Sequence, residues 1–183
     1  MLRPTTNIKN FVAAYAFAIS AVLFPSTLHA DSPNIVFIMA DDLGYGDIQA
    51  LNPQGKIPTP NIDSLVRQGM TFSDAHSTSS VCTPTRYSLL TGRYNWRSRL
   101  ERSVLWGYSP HLIKPNRTTV GKILQKQGYH TACIGKWHLG MDWTLKNGGI
   151  AQDNQDGWTI DYEKPIQNGP TARGFDYFFG VSA

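Results

Sequence analysis

Cysteine is scarce in the 183 residues: Cys82 and Cys133 are the only two, so one bridge between them is the only disulfide the chain can form. Charge is sparse as well, at 16% of residues against 41% hydrophobic, and the signature of a disordered chain is absent. No apolar run reaches the roughly 20 residues that a bilayer-spanning helix needs. The longest, residues 11–23, has 13. With Arg3 and Lys9 before it and Leu28-His29-Ala30 after it, that run reads as a secretory signal peptide over residues 1–30, leaving 31–183 as the mature chain. Export is therefore expected, to a periplasm or the outside medium, or to a lysosome in a eukaryotic host, with no membrane attachment after signal cleavage. A basic face suited to nucleic acid is missing too. The net charge of +4 falls to 15 basic against 13 acidic residues without Arg3 and Lys9, and the cluster Arg93, Arg97, Arg99 and Arg102 is offset by Glu101. No nucleic-acid partner is expected.

What is present is an alternation of strand-like and helix-like stretches. Residues 34–40 are a continuous apolar, β-branched run closed by Asp41-Asp42, the pattern of a buried central strand. After a Gly/Pro-rich loop over 44–58, Thr59-Pro60 opens a helix with Ile62, Leu65 and Val66 as its stripe and Gly69 as its stop. Residues 70–75 are a short strand candidate. A second helix follows Thr83-Pro84 and runs to Gly92; with Thr83 as N-cap, Cys82 stands just outside it and Arg86 at its third position. A third spans about 119–127, and 130–136 reads as the next strand. Residues 142–173 are polar and aperiodic, a loop-rich insertion. Strands alternating with helices imply an α/β fold with a mostly parallel sheet. Cys133 in an apolar strand and Cys82 at a helix start suit free thiols better than a bridge.

Three polar groups fall where ligands of open α/β sheets bind, beyond the carboxyl ends of strands or at a helix start. Asp41 and Asp42 are adjacent like charges, which a divalent cation would reconcile, although two carboxylates are only part of the six to eight oxygens that Ca²⁺ takes. Lys136 and His138 are spaced to share one face of an extended segment, with Trp137 on the other and Gly135 and Gly140 bracketing them. That pairing suits an anionic group, with His free to exchange protons. Cys82 and Arg86 meet at a helix N-terminus, where uncapped N–H groups attract anions.

Cys82-Thr83-Pro84-Thr85-Arg86 matches the Cys-x-Pro-x-Arg signature of type I, formylglycine-dependent sulfatases, and Leu89-Leu90-Thr91-Gly92-Arg93 resembles the remainder of it. Pro33-Asn34-Ile35-Val36, leading to Asp41-Asp42-Leu43-Gly44-Tyr45-Gly46, resembles that family's first strand and metal loop. Thr59-Pro60-Asn61-Ile62-Asp63 resembles its first helix and Gly135-Lys136-Trp137-His138-Leu139-Gly140 its Lys/His element. The blocks run in order over 33–141, and the resemblance returns at 174–180.

The resemblance implies an alkaline-phosphatase-like α/β sandwich with a mixed, mostly parallel sheet, and sulfuric ester hydrolysis; export adds sulfated carbohydrate as the expected substrate. It implies that a formylglycine-generating enzyme converts Cys82 to Cα-formylglycine, whose hydrate attacks sulfur, expels the alcohol and then eliminates sulfate to restore the aldehyde. By the same resemblance one Ca²⁺ is held by Asp41, Asp42 and the modified Cys82; Arg86 holds the formylglycine, Lys136 contacts sulfate and His138 assists the elimination. The alternatives are a formylglycine-dependent phosphonate or phosphate monoester hydrolase, and a non-catalytic exported binding module. Family members are several hundred residues long, and 174–183 carries four aromatics with nothing after them. The expectation is an N-terminal piece of a sulfatase, inactive alone.

Overall fold

The computed structural model describes residues 32–183; the signal-peptide assignment at 1–30 lies outside them. Contacts divide the chain at Ala40 and Asp41. Residues 34–40 are not the buried strand expected. They form no ladder, and Ile35, Val36, Phe37 and Ile38 are exposed. A strand exists only through hydrogen bonds to a neighbour, and among the described residues the only strands that pair lie elsewhere. Residues 70–75 likewise form no strand, with Met70 and Phe72 exposed.

Helix α1, Pro60–Gln68, begins where expected, with Thr59 as N-cap and Pro60 as the first helical residue. The Thr59 hydroxyl donates to Asp63 at 2.8 Å and accepts from the Gln49 amide at 2.9 Å, which ties the preceding loop to the helix. Helix α2, Cys82–Thr91, starts earlier than expected. Its N-cap is Val81, so Cys82 is the first helical residue and Arg86 the fifth. Pro84 is tolerated because first-turn N–H groups have no intrahelical acceptor to lose. The helix ends at Gly92, whose φ of 61° is the left-handed cap glycine takes without a Cβ clash. Helix α3, Val120–Lys126, is capped by the Thr119 hydroxyl, which accepts from Lys122 N at 3.2 Å.

Strands β1, Ala132–Lys136, and β2, Tyr177–Val181, form a two-stranded parallel sheet. Cys133 pairs with Phe178 and both pack on the core, whereas Ile134 and Phe179, the next pair, are exposed on the other face. At the register pair Gly135–Gly180, Gly135 takes φ 101° and a Cβ on Gly180 would collide with the Gly135 carbonyl. The core joins Tyr87 of α2 to Leu105, Leu112 and Ile113 and to Trp137, Leu139 and Met141 beyond β1. Each such side chain contributes roughly 1.5–3 kcal/mol by leaving water. Residues 142–173 hold two 3₁₀ turns, Asn154–Thr159 and Pro170–Arg173, and three isolated bridges, with Ala151 and Ile160 buried. Among the described residues no helix is long and apolar enough to cross a membrane.

Candidate active site

Helix α2 and the end of β1 bring four of the six expected site residues into one electrostatic neighbourhood. Arg86 Nη2 donates to Asp41 Oδ2 at 3.1 Å, and Lys136 Nζ lies 3.1 Å from the same oxygen. Arg86 Nη1 donates to the Lys136 carbonyl, fastening the helix to the strand end. The Lys136 ammonium first, then the Arg86 guanidinium, hold the Asp41 carboxyl below the usual carboxylate range against the opposing effect of burial. Arg86 Nε is buried with no partner. Cys82 is one helical turn before Arg86, and residues four apart share a helix face with roughly 5–6 Å between their Cβ atoms. Both cysteines are free thiols, and burial pushes the Cys133 thiol up.

His138 departs from the expectation of alternation along an extended segment. β1 ends at Lys136, and His138 has a φ of 54°, so Lys136 stays at the surface while the imidazole turns inward and is only 6% exposed. A left-handed conformation at a residue with a Cβ costs on the order of 1–2 kcal/mol. The neighbouring packing holds it: Trp137 N donates to Val181 O at 3.0 Å and His138 N to Ser182 O at 2.8 Å. His138 Nε2 lies 2.7 Å from the Leu105 carbonyl. A carbonyl only accepts, so Nε2 carries the proton and Nδ1 presents a lone pair. That Nδ1 is buried and has no partner. Burial pushes the imidazole below its ordinary value, opposed by the Leu105 bond and assisted by Lys136 and Arg86, so it is neutral at pH 7.

Asp42 is exposed with a φ of 66°. Carboxylate oxygens are the donors a hard cation takes. However, both close contacts of Asp41 Oδ2 are cations, and among the described residues no three His, Cys, Asp or Glu side chains gather around one ion position. The described residues therefore do not by themselves make a complete calcium site.

Sequence reasoning missed two features. Thr83, expected to cap α2, is instead fully buried and its hydroxyl accepts from Leu105 N at 3.3 Å. Asp142 is buried between His111, whose Nδ1 lies 2.8 and 2.9 Å from its two oxygens, and Asn168, which donates at 2.8 Å. A lone carboxylate in the apolar stretch Leu139 to Trp143 was the available signal, since buried acids are nearly always paired. Trp143 packs edge-on against Tyr108 and Tyr162, whose hydroxyls lie 2.8 Å apart, while Trp158 is exposed.

The geometry agrees with the chain's likeness to known proteins. A family model described as Sulfatase matches residues 33–183. Human arylsulfatase D is 35% identical over 162 residues, covering 86% of this chain and 24% of that protein. The N-acetylgalactosamine-6-O-sulfatase of Bacteroides thetaiotaomicron is 37% identical over 155 residues, 85% of this chain and 27% of the relative. A solved structure from work on the metabolism of multiple glycosaminoglycans by B. thetaiotaomicron superimposes with a TM-score of 0.68 at 38% identity, over 81% of this chain and 28% of that one. Another, crystallised with k-i-k-neocarrahexaose, does so with a TM-score of 0.55 at 30% identity, over 76% and 26%. The chain thus spans about a quarter of the length of these relatives. The small parallel sheet with its helices is part of their α/β, alkaline-phosphatase-like architecture, and the chain belongs to the sulfatase family.

Proposed function

We propose that the protein carrying this chain is an exported sulfuric ester hydrolase acting on sulfated carbohydrate, with Cys82 converted to formylglycine by a formylglycine-generating enzyme. The observation that supports it is a surplus of positive charge. Arg86 and Lys136 converge on the single carboxylate of Asp41, and Arg86 keeps a buried, unpartnered Nε. Two cations against one carboxylate suit a further anion, and charge-assisted hydrogen bonds to its oxygens are the strong kind. The formylglycine supplies a hydrated aldehyde oxygen as a nucleophile toward sulfur. Arg86, one turn along α2, orients residue 82. Lys136 binds the sulfate oxygens and stabilises charge that builds on them. Neutral His138, with Nε2 committed to Leu105, accepts a proton at Nδ1. Asp41 and Asp42, with the modified Cys82, would hold one Ca²⁺, which would supply Lewis-acid polarisation at the ester; two carboxylates are only part of the six to eight oxygens such an ion takes. Carbohydrate is supported by the relative named N-acetylgalactosamine-6-O-sulfatase and by the neighbour crystallised with k-i-k-neocarrahexaose.

Sulfate release from sulfated oligosaccharides by the full-length protein, joined to mass analysis of the residue-82 peptide, tests this reading. Sulfate release and an aldehyde mass at 82 are expected together. An unmodified thiol in an active preparation eliminates the formylglycine mechanism.

A further inference from the structure

The peptide that His138 binds is fastened on several sides. The Leu105 carbonyl that accepts from Nε2 belongs to the 105–106 peptide, which is trans. Its C=O and N–H therefore point in opposite directions. The N–H, that of Trp106, donates to the Ser109 hydroxyl at 2.9 Å, so a bond on one side of the plane aims the carbonyl on the other. Ser109 is itself immobilised: it is 5% exposed, its N–H donates to Trp106 O at 3.1 Å and its carbonyl accepts from Met141 N at 3.1 Å. The preceding peptide is held as well, by Leu105 N donating to Thr83 Oγ1, next to Cys82. Leu105 packs in the core, which closes the remaining freedom.

The geometry points to Ser109 as a positioning residue for the reaction: by orienting the 105–106 peptide, with Thr83 as second anchor, it fixes the His138 tautomer and presents a bare Nδ1 as proton acceptor. The inference rests on the reading of His138 as a site residue, although its structural half stands without it. A buried imidazole has two neutral tautomers, and a fixed acceptor at Nε2 selects one. The charges acting on the ring are Lys136, Arg86 and Asp41, the groups of the candidate site.

Ring-nitrogen NMR of the histidine-labelled full-length protein tests this, with His138 assigned by the loss of its signals in His138→Gln. The wild type is expected to show protonated Nε2 and bare Nδ1. Ser109→Ala is expected to mix the tautomers and to lower kcat about tenfold, the worth of one hydrogen bond, with KM within about twofold and formylglycine content at 82 unchanged. If Ser109→Ala does not fold, Thr83→Val is read in the same way after the residue-82 peptide is weighed. An unchanged nitrogen pattern in the variant overturns the positioning role. A changed pattern with kcat intact overturns its catalytic consequence. The expected tautomer shift in a protein that hydrolyses no sulfate ester would unseat the proposed function and leave the positioning standing.

Discussion

Asp41 and Asp142 are both carboxylates held below their ordinary range, and the two regions around them are built on opposite plans. Asp41 is partly exposed and faces cations, Lys136 and Arg86, and the groups about it keep buried atoms without partners, Arg86 Nε and His138 Nδ1. Asp142 is buried, and burial alone would raise its carboxyl; bonds from His111 and then Asn168 more than offset that. Its partners are satisfied in turn. Asn168 Oδ1 accepts from Arg173 Nη2 at 3.1 Å, and Arg173 donates from Nε to Ile113 O at 2.8 Å and from Nη1 to Ala172 O at 3.0 Å. One region keeps two polar atoms without a partner, Arg86 Nε and His138 Nδ1. The other commits its carboxylate, amide and guanidinium to one another and to backbone carbonyls, and clamps the two ends of the 142–173 segment to the residues at 111–113. A lowered carboxyl pKa is thus common to both, and the partners separate them: two side-chain cations at a partly exposed Asp41, buried hydrogen bonds from His111 and Asn168 at Asp142.

The largest expected effect falls on the first region. Cys82→Ala should remove sulfatase activity by at least about 10⁴-fold, as loss of a nucleophile does, while thermal melting of the full-length protein stays near wild type. Substantial residual turnover would detach residue 82 from the chemistry. Arg86→Gln comes next. It deletes the donors to Asp41 and to the Lys136 carbonyl, and kcat/KM should drop about 10²- to 10³-fold, with weakened inhibition by inorganic sulfate as the independent reading.

Asp142→Asn should do the reverse, costing about 2 kcal/mol of unfolding free energy with sulfate inhibition unaltered. Its pH dependence has a definite sign. The folded carboxyl titrates below the free value of about 3.9. The stabilisation is therefore complete above about pH 4 and is lost as pH falls through the lowered folded value. Denaturant titrations of wild type and variant across the acid range should converge at the low end; a constant gap would refute the charge-based account. The smallest effect is the stability cost of Asp41→Asn, under about 1 kcal/mol, since solvent screens a partly exposed ion pair. A cost matching that of Asp142→Asn would erase the contrast between the two regions.

Local signals served the helices well. Thr59-Pro60, Thr119 and Gly92 mark helix ends through backbone chemistry that needs no distant partner. Cys82, Arg86, Lys136 and Asp41 were singled out for a different reason, because they lie in short contiguous blocks that resemble a known family. Residues 34–40 were misread because apolar, β-branched composition signals a preference for pairing and says nothing of whether a neighbour is at hand. β2 was not recognised as a strand, since its aromatic-rich stretch reads as apolar without a clear period. Asp142 stood out only as a lone acid in an apolar stretch, and its partners were not legible because they stand 26 and 31 positions away with no local repeat to betray them.

From its amino acids alone this chain specifies where α1 starts and α2 stops, which side chains carry charge and which motif surrounds Cys82, since those depend on neighbours within a few positions. Only the tertiary structure decides that Lys136 and Arg86 share one carboxylate oxygen, that His138 turns inward to Leu105, and that Thr83 serves a distant amide in place of its own helix. Hydrogen bonds reach only about 3 Å, so which donor meets which acceptor is settled when packing brings remote segments together.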